Sequence, residues 1–384
     1  MKKIVVWLTV LITVMSVIVP VKAEGPEIEA PCAILTEAST GRVIYEKNAD
    51  ESLHPASITK IMTLLIIFDA VDDGSISPED TVTVSEHAAS MGGSQVFLEP
   101  GEKQTVETMI KCIAIASAND ACVAMAEHIS GSEDAFVQSM NERAEALGMN
   151  NTHFVNCCGL DADGHMTTAR DVAIMSRELI TAHPAIHDYS CIWMDTITHV
   201  TRRSESEFIL NNTNKLLKQY EWATGLKTGS TSLAKFCLSA TARRNDIELI
   251  SVIMASPSGK TRVSDSIALL NYGYGICSLY HDNNMPSIDV VPIKGGIRSD
   301  ISVEYSSQMN YLFTDKYDAS LIESHAEYLE DLEAPVQKGD VIGQLTYTYD
   351  GKFMDSIDII ASESIKKAGY GDYINSLWQC FLGN

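Results

Sequence analysis

An almost wholly apolar stretch from Ile58 to Val71 constrains the fold of this chain more than any other feature of its sequence. Its length and its lack of polar alternation predict a helix that is buried on all sides. Such a helix needs other elements packed around it. The chain has 384 residues, of which 45% are hydrophobic, so it can form a sizeable core and is not expected to be disordered.

The order of helical and strand-like patterns predicts an α+β fold. Two short strands joined by a turn at Ser39-Thr40-Gly41 precede the buried helix, and two further strand-like segments follow the helical middle of the chain. Strands at both ends of a helical middle favour one antiparallel sheet flanked by helices. The helical patterns occupy 105–129, 132–147, 168–182 and 263–272, and the later strand-like segments occupy 234–242 and 247–255.

From about Leu279 onward the pattern changes to short β-type runs separated by turns. These runs predict a small all-β domain, in which Asp350-Gly351 forms the hairpin turn between the last two strands. The final stretch, Tyr370 to Asn384, carries aromatic and aliphatic side chains at helical spacing. It predicts an amphipathic helix that either lies on a membrane surface or docks on its own domain, and Lys366 and Lys367 favour the membrane.

The N-terminus has the three parts of a secretory signal peptide. Lys2 and Lys3 precede an apolar run, which ends at Pro20 and the small-residue site Val21-Lys22-Ala23. The run is short for a transmembrane anchor, so we expect cleavage before Glu24 and export to the outer face of the cytoplasmic membrane. The predicted organisation is a signal peptide (1–23), a first domain (24–278), a β-rich domain (279–365) and an amphipathic helix (366–384).

The charge and the cysteines of the chain argue against a nucleic-acid partner, a disulfide framework and a metal site. The formal net charge of −23 argues against a nucleic-acid partner, because phosphate binding needs a basic surface. The nine cysteines are odd in number, irregularly spaced and mostly placed in apolar stretches, which favours buried thiols over a disulfide framework. Cys157-Cys158 has no metal-type spacing around it, and no HExxH motif is present, so no metal site is predicted.

Ser57-Ile58-Thr59-Lys60 opens the buried helix and carries the first candidate chemistry. Spacing of i, i+3 on a helix places both side chains on one face, about a hydrogen bond apart. A partly desolvated lysine in that position can act as a base towards the serine hydroxyl. Taken alone, the Ser-x-x-Lys pattern is weak evidence, because Ser232 and Ser364 also satisfy it.

Two further motifs follow in the order that serine acyl-transfer enzymes use. Ser117-Ala118-Asn119 places a hydroxyl and an amide in an apolar helical stretch, and Lys227-Thr228-Gly229 lies just before a predicted strand. Penicillin-binding proteins and class A β-lactamases share the set of Ser-x-x-Lys, a Ser-x-Asn-type motif and Lys-Thr-Gly.

The chain resembles the low-molecular-weight penicillin-binding proteins, the serine-type D-alanyl-D-alanine carboxypeptidases of peptidase family S11. The resemblance extends beyond the three motifs and covers nearly the whole chain after residue 23. It implies a β-lactamase/transpeptidase-like domain, a small all-β domain and a membrane-associating C-terminal helix. The segments that carry the resemblance are His54–Lys60, Ile115–Ala121, Asn156–Asp171, Asn211–Leu217 and Gly225–Gly229.

The resemblance also implies a role for each matching residue. Ser57 is the expected nucleophile and Lys60 its general base, while Ser117 relays a proton to the leaving D-alanine. Asn119 is expected to hold the substrate amide, Lys227 supplies positive charge and Thr228 binds the terminal carboxylate. The backbone N–H groups of Ser57 and of Ser230, which follows Gly229, would form the oxyanion hole. Ser230 stands where relatives often carry a bulkier residue.

The resemblance implies peptidoglycan stem peptides as substrates, β-lactams as covalent inhibitors of Ser57, and no metal or organic cofactor. Three alternatives remain. A serine β-lactamase shares the motifs, and Glu207–Asn211 formally matches the deacylating element of class A enzymes, but it lies too close to Lys227 in sequence. A DD-transpeptidase would use an amine in place of water. A non-catalytic β-lactam-sensing or wall-binding protein would be acylated without turnover.

Overall fold

The computed structural model describes residues 25–201, 204–288, 290–372 and 374. In chain order its strands are β1 (Cys32–Glu37), β2 (Val43–Lys47), β3 (Thr81–Thr83), β4 (Lys103–Thr105), β5 (Met194–Val200), β6 (Glu205–Asn211), β7 (Ala223–Thr231), β8 (Lys235–Arg244), β9 (Ile247–Ser256), β10 (Ser278–His281), β11 (Val290–Pro292), β12 (Asp300–Tyr305), β13 (Asn310–Phe313), β14 (Ile322–Tyr328), β15 (Val341–Tyr349) and β16 (Lys352–Ala361). Its α-helices are α1 (Lys60–Asp72), α2 (Glu86–Ala89), α3 (Val106–Ala114), α4 (Asn119–Ser130), α5 (Glu133–Ala146), α6 (Ala169–Ala182), α7 (His187–Ser190) and α8 (Gly259–Ile276).

A five-stranded antiparallel sheet with strand order β2-β1-β9-β8-β7 organises the first part of the chain. Successive residues of its strands enter two different cores, as the two-residue period of a strand requires. In β9, Ile250 and Val252 pack on one side of the sheet, whereas Leu249 and Ile253 pack on the other. The prediction of an α+β fold with one antiparallel sheet between helices is confirmed.

Helix α1 lies at the centre of the larger core, where it contacts α3, α4, α5 and α6. Helix α8 packs on the other face of the sheet against β8 and β9. Hydroxyl side chains define where several of these helices begin, because each accepts a hydrogen bond from the backbone N–H three residues later. These N-cap residues are Thr105 for α3, Ser132 for α5, Thr168 for α6 and Ser258 for α8.

Two local predictions are wrong. The helix expected over 105–129 is interrupted between Ala114 and Asn119, because the chain turns there to make contacts outside the helix: the Asn119 N–H donates to the Ser94 carbonyl at 2.7 Å. Lys227-Thr228-Gly229 lies inside β7 rather than before a strand. The sequence pattern does not reveal the β5–β6 hairpin, because Met194, Val200 and Ile209 are exposed and neither strand alternates polar and apolar residues.

The part of the chain from β10 to β16 forms an all-β domain, as predicted. Its main sheet has strand order β11-β12-β16-β15-β14, and β10 pairs with β13 beside it. Asp350 and Gly351 form the turn between β15 and β16. The proposed boundary at 278/279 falls at the start of β10 and remains a prediction.

The two ends of the chain lie largely outside the described residues. The predicted signal peptide, 1–23, lies wholly outside them, and of the predicted amphipathic helix only 366–372 and 374 are described, with helical backbone at 370–372 and 374. Within the described ranges, no helix combines the length and the apolar character needed to cross a bilayer.

Candidate active site

Ser57 and Lys60 lie at the start of α1 and are joined by a hydrogen bond. Ser57 belongs to a 3-10 turn, Ala56–Thr59, that leads directly into α1, so the two side chains project from one face. The Lys60 Nζ donates to the Ser57 Oγ at 3.1 Å. Lys60 is fully buried, whereas Ser57 is partly exposed, so the hydroxyl is accessible while the amine is shielded from water.

Two fixed acceptors hold the Lys60 amine in place. Its Nζ donates to the Asn119 Oδ1 at 2.7 Å and to the Cys158 carbonyl oxygen at 2.5 Å. A neutral amine has two N–H bonds and one lone pair, whereas an ammonium has three N–H bonds. Because the two acceptors engage two N–H bonds, the third position faces the Ser57 Oγ. When the amine is protonated, this position donates its N–H bond to the Ser57 Oγ; when the amine is neutral, the same position presents the lone pair that can accept the hydroxyl proton.

Lys227 and Ser117 form a second amine–hydroxyl pair in the same cleft. The Lys227 Nζ donates to the Ser117 Oγ at 2.9 Å and to the Thr228 carbonyl oxygen at 3.2 Å. Burial holds the pKa of Lys227 well below its usual range, and the nearby charge of Lys60 lowers it further. Lys227 therefore releases its proton more readily than an exposed lysine.

The loop between α3 and α4 presents Ser117 with a backbone conformation that is unusual for a residue with a side chain. The φ angle of Ser117 is 62°, in the left-handed region. Asn119 follows as the first residue of α4, and its Nδ2 donates to the Gly92 carbonyl at 2.7 Å. Since its Oδ1 accepts from Lys60, both ends of the Asn119 amide are engaged, which makes it a positioning partner of the lysine.

Two threonine hydroxyls meet beside Lys227. The Thr228 Oγ1 lies 2.7 Å from the Thr213 Oγ1, and Thr213 is reached through the turn that follows β6. Thr213 lies in the Asn211–Leu217 segment that carries the family resemblance, but the resemblance implies no role for it. One signal in the sequence could have identified Thr213: it lies in the polar run Asn211–Asn214, directly before a buried strand. Polar side chains in such a position need hydrogen-bond partners within the protein.

Gly229 allows β7 to lie against the turn that carries Ser57. A Cβ atom on Gly229 would come within 2.9 Å of the Ser57 backbone nitrogen and 3.0 Å of the Ile58 backbone nitrogen. Any larger residue would push the two segments apart. Arg262 of α8, which sequence reasoning missed, donates through Nη1 to the Gly229 carbonyl at 3.0 Å, and Ser230 follows as an exposed residue.

A loop behind α1 anchors the helix from the other side. The Thr63 Oγ1 donates to the Cys157 carbonyl at 2.5 Å, one turn along α1 from Lys60. His165 accepts from the Val155 N–H through Nδ1, so its Nε2 carries the proton and donates to the Thr59 Oγ1 at 2.8 Å. Burial lowers the pKa of His165 to about 4, so the ring stays neutral in this role.

Other features of the described residues lie apart from this constellation. No group of three or more His, Cys, Asp or Glu side chains in the described ranges could hold a metal ion. A cleft of about 420 Å³ lies between the Ser39–Arg42 turn and the β13 and β16 strands of the second domain. That turn follows β1 at the end of the sheet opposite to Ser230, so the cleft is not part of the candidate site.

The chain matches known proteins over nearly all of its length. Residues 19–258 match the family described as D-alanyl-D-alanine carboxypeptidase, peptidase S11, and residues 280–367 match the penicillin-binding protein 5 C-terminal domain. D-alanyl-D-alanine carboxypeptidase DacF of Bacillus subtilis is 41% identical over 345 residues, which cover 89% of this chain and 87% of the relative.

Solved structures show the same architecture. Penicillin-binding protein 5 from Haemophilus influenzae has a TM-score of 0.76 at 29% identity, covering 90% of this chain and 99% of that one. The Streptomyces K15 DD-transpeptidase has a TM-score of 0.62 at 28% identity and covers 66% of this chain and 99% of its own.

The fold and these matches show the class to which the protein belongs. It is a penicillin-binding enzyme, whose own serine becomes acylated during the reaction. Within that class, the chain belongs to the D-alanyl-D-alanine carboxypeptidases of peptidase family S11.

Proposed function

We propose that Ser57 is the nucleophile that attacks the peptide bond between the two terminal D-alanines of a peptidoglycan stem peptide, with Lys60 as its general base. The observation that carries this assignment is the Lys60 amine, held by Asn119 and Cys158 so that its remaining position faces the Ser57 Oγ at 3.1 Å. Lys60 takes the hydroxyl proton as the Ser57 Oγ bonds to the carbonyl carbon, and the acyl-enzyme forms when D-alanine leaves.

The remaining site residues protonate the leaving amine and stabilise the negative charges of the terminal carboxylate and of the oxyanion. Ser117 relays to the departing amine the proton that Lys60 took from Ser57, and Lys227, whose Nζ donates to the Ser117 Oγ at 2.9 Å, supplies positive charge beside this relay. The Thr228 hydroxyl binds the terminal carboxylate. Backbone N–H groups of Ser57 and Ser230 stabilise the oxyanion, a contribution of about 3 to 4 kcal/mol per donor in acyl transfer. Water then hydrolyses the acyl-enzyme, and a β-lactam acylates Ser57 in place of the dipeptide end.

A DD-transpeptidase is the second candidate, because the first part of the chain superimposes on an enzyme described by that name. The two activities share the acyl-enzyme and differ only in the acceptor. Incubation of the peptide substrate with glycine as acceptor distinguishes them: hydrolysis gives the shortened peptide, and transpeptidation gives a peptide in which glycine replaces the terminal D-alanine. The β-lactamase alternative has less support, because Glu207–Asn211 lies in strand β6 of a hairpin.

We further propose that the signal peptide (1–23) directs export, that 24–278 forms the catalytic domain and 279–365 the β-rich domain, and that 366–384 associates with the membrane surface. The family acts on peptidoglycan, which supports an extracytoplasmic location. Co-sedimentation with anionic lipid vesicles tests the last segment: the full chain should bind, and the chain ending at Ile365 should not. Equal sedimentation of both forms would contradict membrane association through this segment.

Release of D-alanine from diacetyl-L-Lys-D-Ala-D-Ala tests the main proposal. The protein without residues 1–23 should release D-alanine, and Ser57→Ala should abolish the release. Ser232→Ala is the matched control, because Ser232 also begins a Ser-x-x-Lys pattern, and it should retain activity. Loss of activity in the control alone, or full activity in Ser57→Ala, would contradict the assignment.

A further inference from the structure

One carboxylate at the edge of the candidate site has no role in the proposed mechanism. Asp161 lies in the loop behind α1, its side chain is exposed, and its Oδ1 accepts from the Thr231 Oγ1 at 2.7 Å. Both segments joined by this hydrogen bond pack on the turn that carries Ser57: a Cβ atom on Gly159 of the loop or on Gly229 of β7 would clash with the backbone of that turn. The Asp161 carboxylate therefore lies at the rim of the cleft, beside the nucleophile.

The turn that presents Asp161 is held in a fixed conformation. The Asn156 Oδ1 accepts from the Gly159 N–H at 2.7 Å and from the Leu160 N–H at 3.1 Å, and the Asn156 Nδ2 donates to the Leu160 carbonyl at 2.9 Å. The Leu160 side chain is 37% exposed and reaches across to Gly93, where a Cβ atom would lie 3.7 Å from its Cδ2. An apolar side chain and a carboxylate thus stand next to each other at the mouth of the cleft.

The direction of the substrate brings its third residue from the end to this place. In the proposed function, on which this step rests, the Thr228 hydroxyl binds the terminal carboxylate and the Ser230 N–H stabilises the oxyanion, and both residues belong to β7. An extended peptide advances about 3.3 Å per residue, so the residue before the two D-alanines comes next to Thr231. Asp161 is hydrogen-bonded to Thr231, so it faces that residue of the substrate.

The charges around Asp161 favour a cationic group of the substrate. Within the described ranges, no lysine, arginine or histidine side chain forms an ion pair with Asp161, including Lys235, which pairs with Thr231 across β7 and β8. The charge of Asp161 acts on His165, but burial lowers the pKa of that ring to about 4, so it is neutral near pH 7. The carboxylate is therefore exposed and has no counter-ion from the protein.

We propose that Asp161 binds the side-chain amine of the diamino acid that precedes the two D-alanines in a stem peptide, and that Leu160 contacts its methylene groups. The side chain of a diamino acid combines an apolar stem with a charged end, which matches this pair of residues. A stem peptide whose amine is acylated, as in a cross-link, loses the ion pair. The site therefore prefers stem peptides that are not cross-linked through this amine.

Two peptides that differ only at the amine test the preference: Nα-acetyl-L-Lys-D-Ala-D-Ala, whose side-chain amine is free, and diacetyl-L-Lys-D-Ala-D-Ala. The chain without residues 1–23 should have a kcat/KM about fivefold higher for the free amine, as an exposed ion pair can provide. The difference should lie in KM, because the amine is remote from the bond that breaks, and it should shrink at high ionic strength. Hydrolysis of both peptides with equal kcat/KM would overturn the inference and leave the proposed function intact.

Variants assign the preference to Asp161. Asp161→Asn keeps an acceptor for Thr231 and removes the charge, so the ratio of the two kcat/KM values should fall to about one. Asp163→Asn, at an exposed acid of the same loop, is the matched control and should keep the ratio of the unchanged chain. A loss of turnover that leaves the ratio of Asp161→Asn unchanged would show a structural role and overturn the inference, as would an equal fall of the ratio in Asp163→Asn.

Acylation by benzylpenicillin, which has no diamino side chain, reports whether the variant is folded. If Asp161→Asn is not acylated, Asp161→Ser takes its place, because a serine hydroxyl can also accept from Thr231. Its ratio should again be about one. A ratio in Asp161→Ser equal to that of the unchanged chain would overturn the assignment of the amine to Asp161.

Discussion

The hydroxyl of Thr213, a residue outside the three sequence motifs, contacts the hydroxyl of Thr228 in the Lys-Thr-Gly motif. The two oxygens lie 2.7 Å apart, so one hydroxyl donates to the other when no substrate is bound. A carboxylate accepts several hydrogen bonds, and both hydroxyls can turn towards it without moving the backbone. We therefore expect both threonines to hold the terminal carboxylate of the substrate.

Replacement of Thr213 by Val, which keeps the shape and removes the hydroxyl, should lower kcat/KM for diacetyl-L-Lys-D-Ala-D-Ala about tenfold, as the loss of one hydrogen bond to a charged group predicts. Thr213→Ser should stay near the unchanged enzyme. The same comparison with a peptide ending in D-alaninamide supplies the control, because this substrate lacks the carboxylate. An equal loss with both peptides would show that Thr213 acts on the fold of the site rather than on that charge.

Lys227 illustrates a conflict between stability and activity. Its amine is buried next to the amine of Lys60, and its pKa is lowered by that burial, so the native state binds its proton less tightly than the unfolded chain does. The unfolded state then holds more protons up to a pH of about 10.5, and this cost to stability is present at neutral pH and disappears as the pH rises to that value.

Lys227→Met should therefore raise the free energy of unfolding at pH 7, by about 1 kcal/mol or more, while lowering kcat/KM about a hundredfold or more. The stability difference from the unchanged chain should shrink as the pH approaches about 10.5. Urea unfolding at several pH values measures this difference in the free energy of unfolding. Lys235→Met, at an exposed position of the next strand, is the control. A less stable Lys227→Met at every pH would contradict this account of the buried amine.

At the scale of elements, the site depends on how α1 is held. The turn before it is clamped by Thr59 and His165, and its first turn is fixed by the carbonyls of Cys157 and Cys158. The neutral His165 ring is required for this clamp, since one nitrogen accepts from Val155 and the other donates to Thr59.

The stability of the chain should fall in acid through His165. Its pKa is about 4 in the native state and about 6.5 when unfolded, so the unfolded chain binds more protons between these values. Stability is then lost as the pH falls from about 6.5 towards 4, by about 3 kcal/mol in total from this group. His165→Gln should remove that part of the acid sensitivity, and His325→Gln, at an exposed histidine of β14, should not. If the free energy of unfolding fell equally with pH in His165→Gln and in the unchanged chain, protonation of His165 would not be a cause of the acid sensitivity.

The elements also show what sequence could and could not predict. The buried helix and the antiparallel sheet follow from local patterns, and Ser57 and Lys60 are neighbours through helical spacing alone. The break before Asn119 depends on a hydrogen bond to Ser94, a distant residue, so periodicity could not reveal it. Arg262 and Thr213 join the site only when α8 and the turn after β6 pack beside β7, which no local pattern encodes.

At the scale of the whole molecule, the two domains meet through Arg42. Its Nη1 donates to the Leu312 carbonyl at 2.5 Å, and its guanidinium lies 5.4 Å from the centre of the Tyr311 ring. Both contacts lie at the end of the first sheet opposite to Ser230. The β-rich domain is therefore attached away from the candidate site, and its Leu312 side chain is buried in the core on the α8 side of the first sheet.

Arg42→Ala should weaken the coupling between the domains and leave D-alanine release within about twofold of the unchanged rate. Calorimetry should show the β-rich domain unfolding separately or at a lower Tm, by about 2 to 4 °C for each kcal/mol lost. Lys316→Ala, at an exposed position of the same domain, is the control and should unfold like the unchanged chain. If Arg42→Ala lost as much D-alanine release as a variant of the active site, attachment of the β-rich domain and catalysis would not be independent.

The most direct test of the central claim is the position of the acyl group. The protein is incubated with benzylpenicillin, digested, and the adduct is located by mass spectrometry. We predict one adduct, on the peptide that contains Ser57, formed much more slowly in Lys60→Ala and absent in Ser57→Ala. An adduct on the peptide of Ser117, Ser232 or Ser364, or an unchanged rate in Lys60→Ala, would contradict the assignment of Ser57 and Lys60 as nucleophile and base.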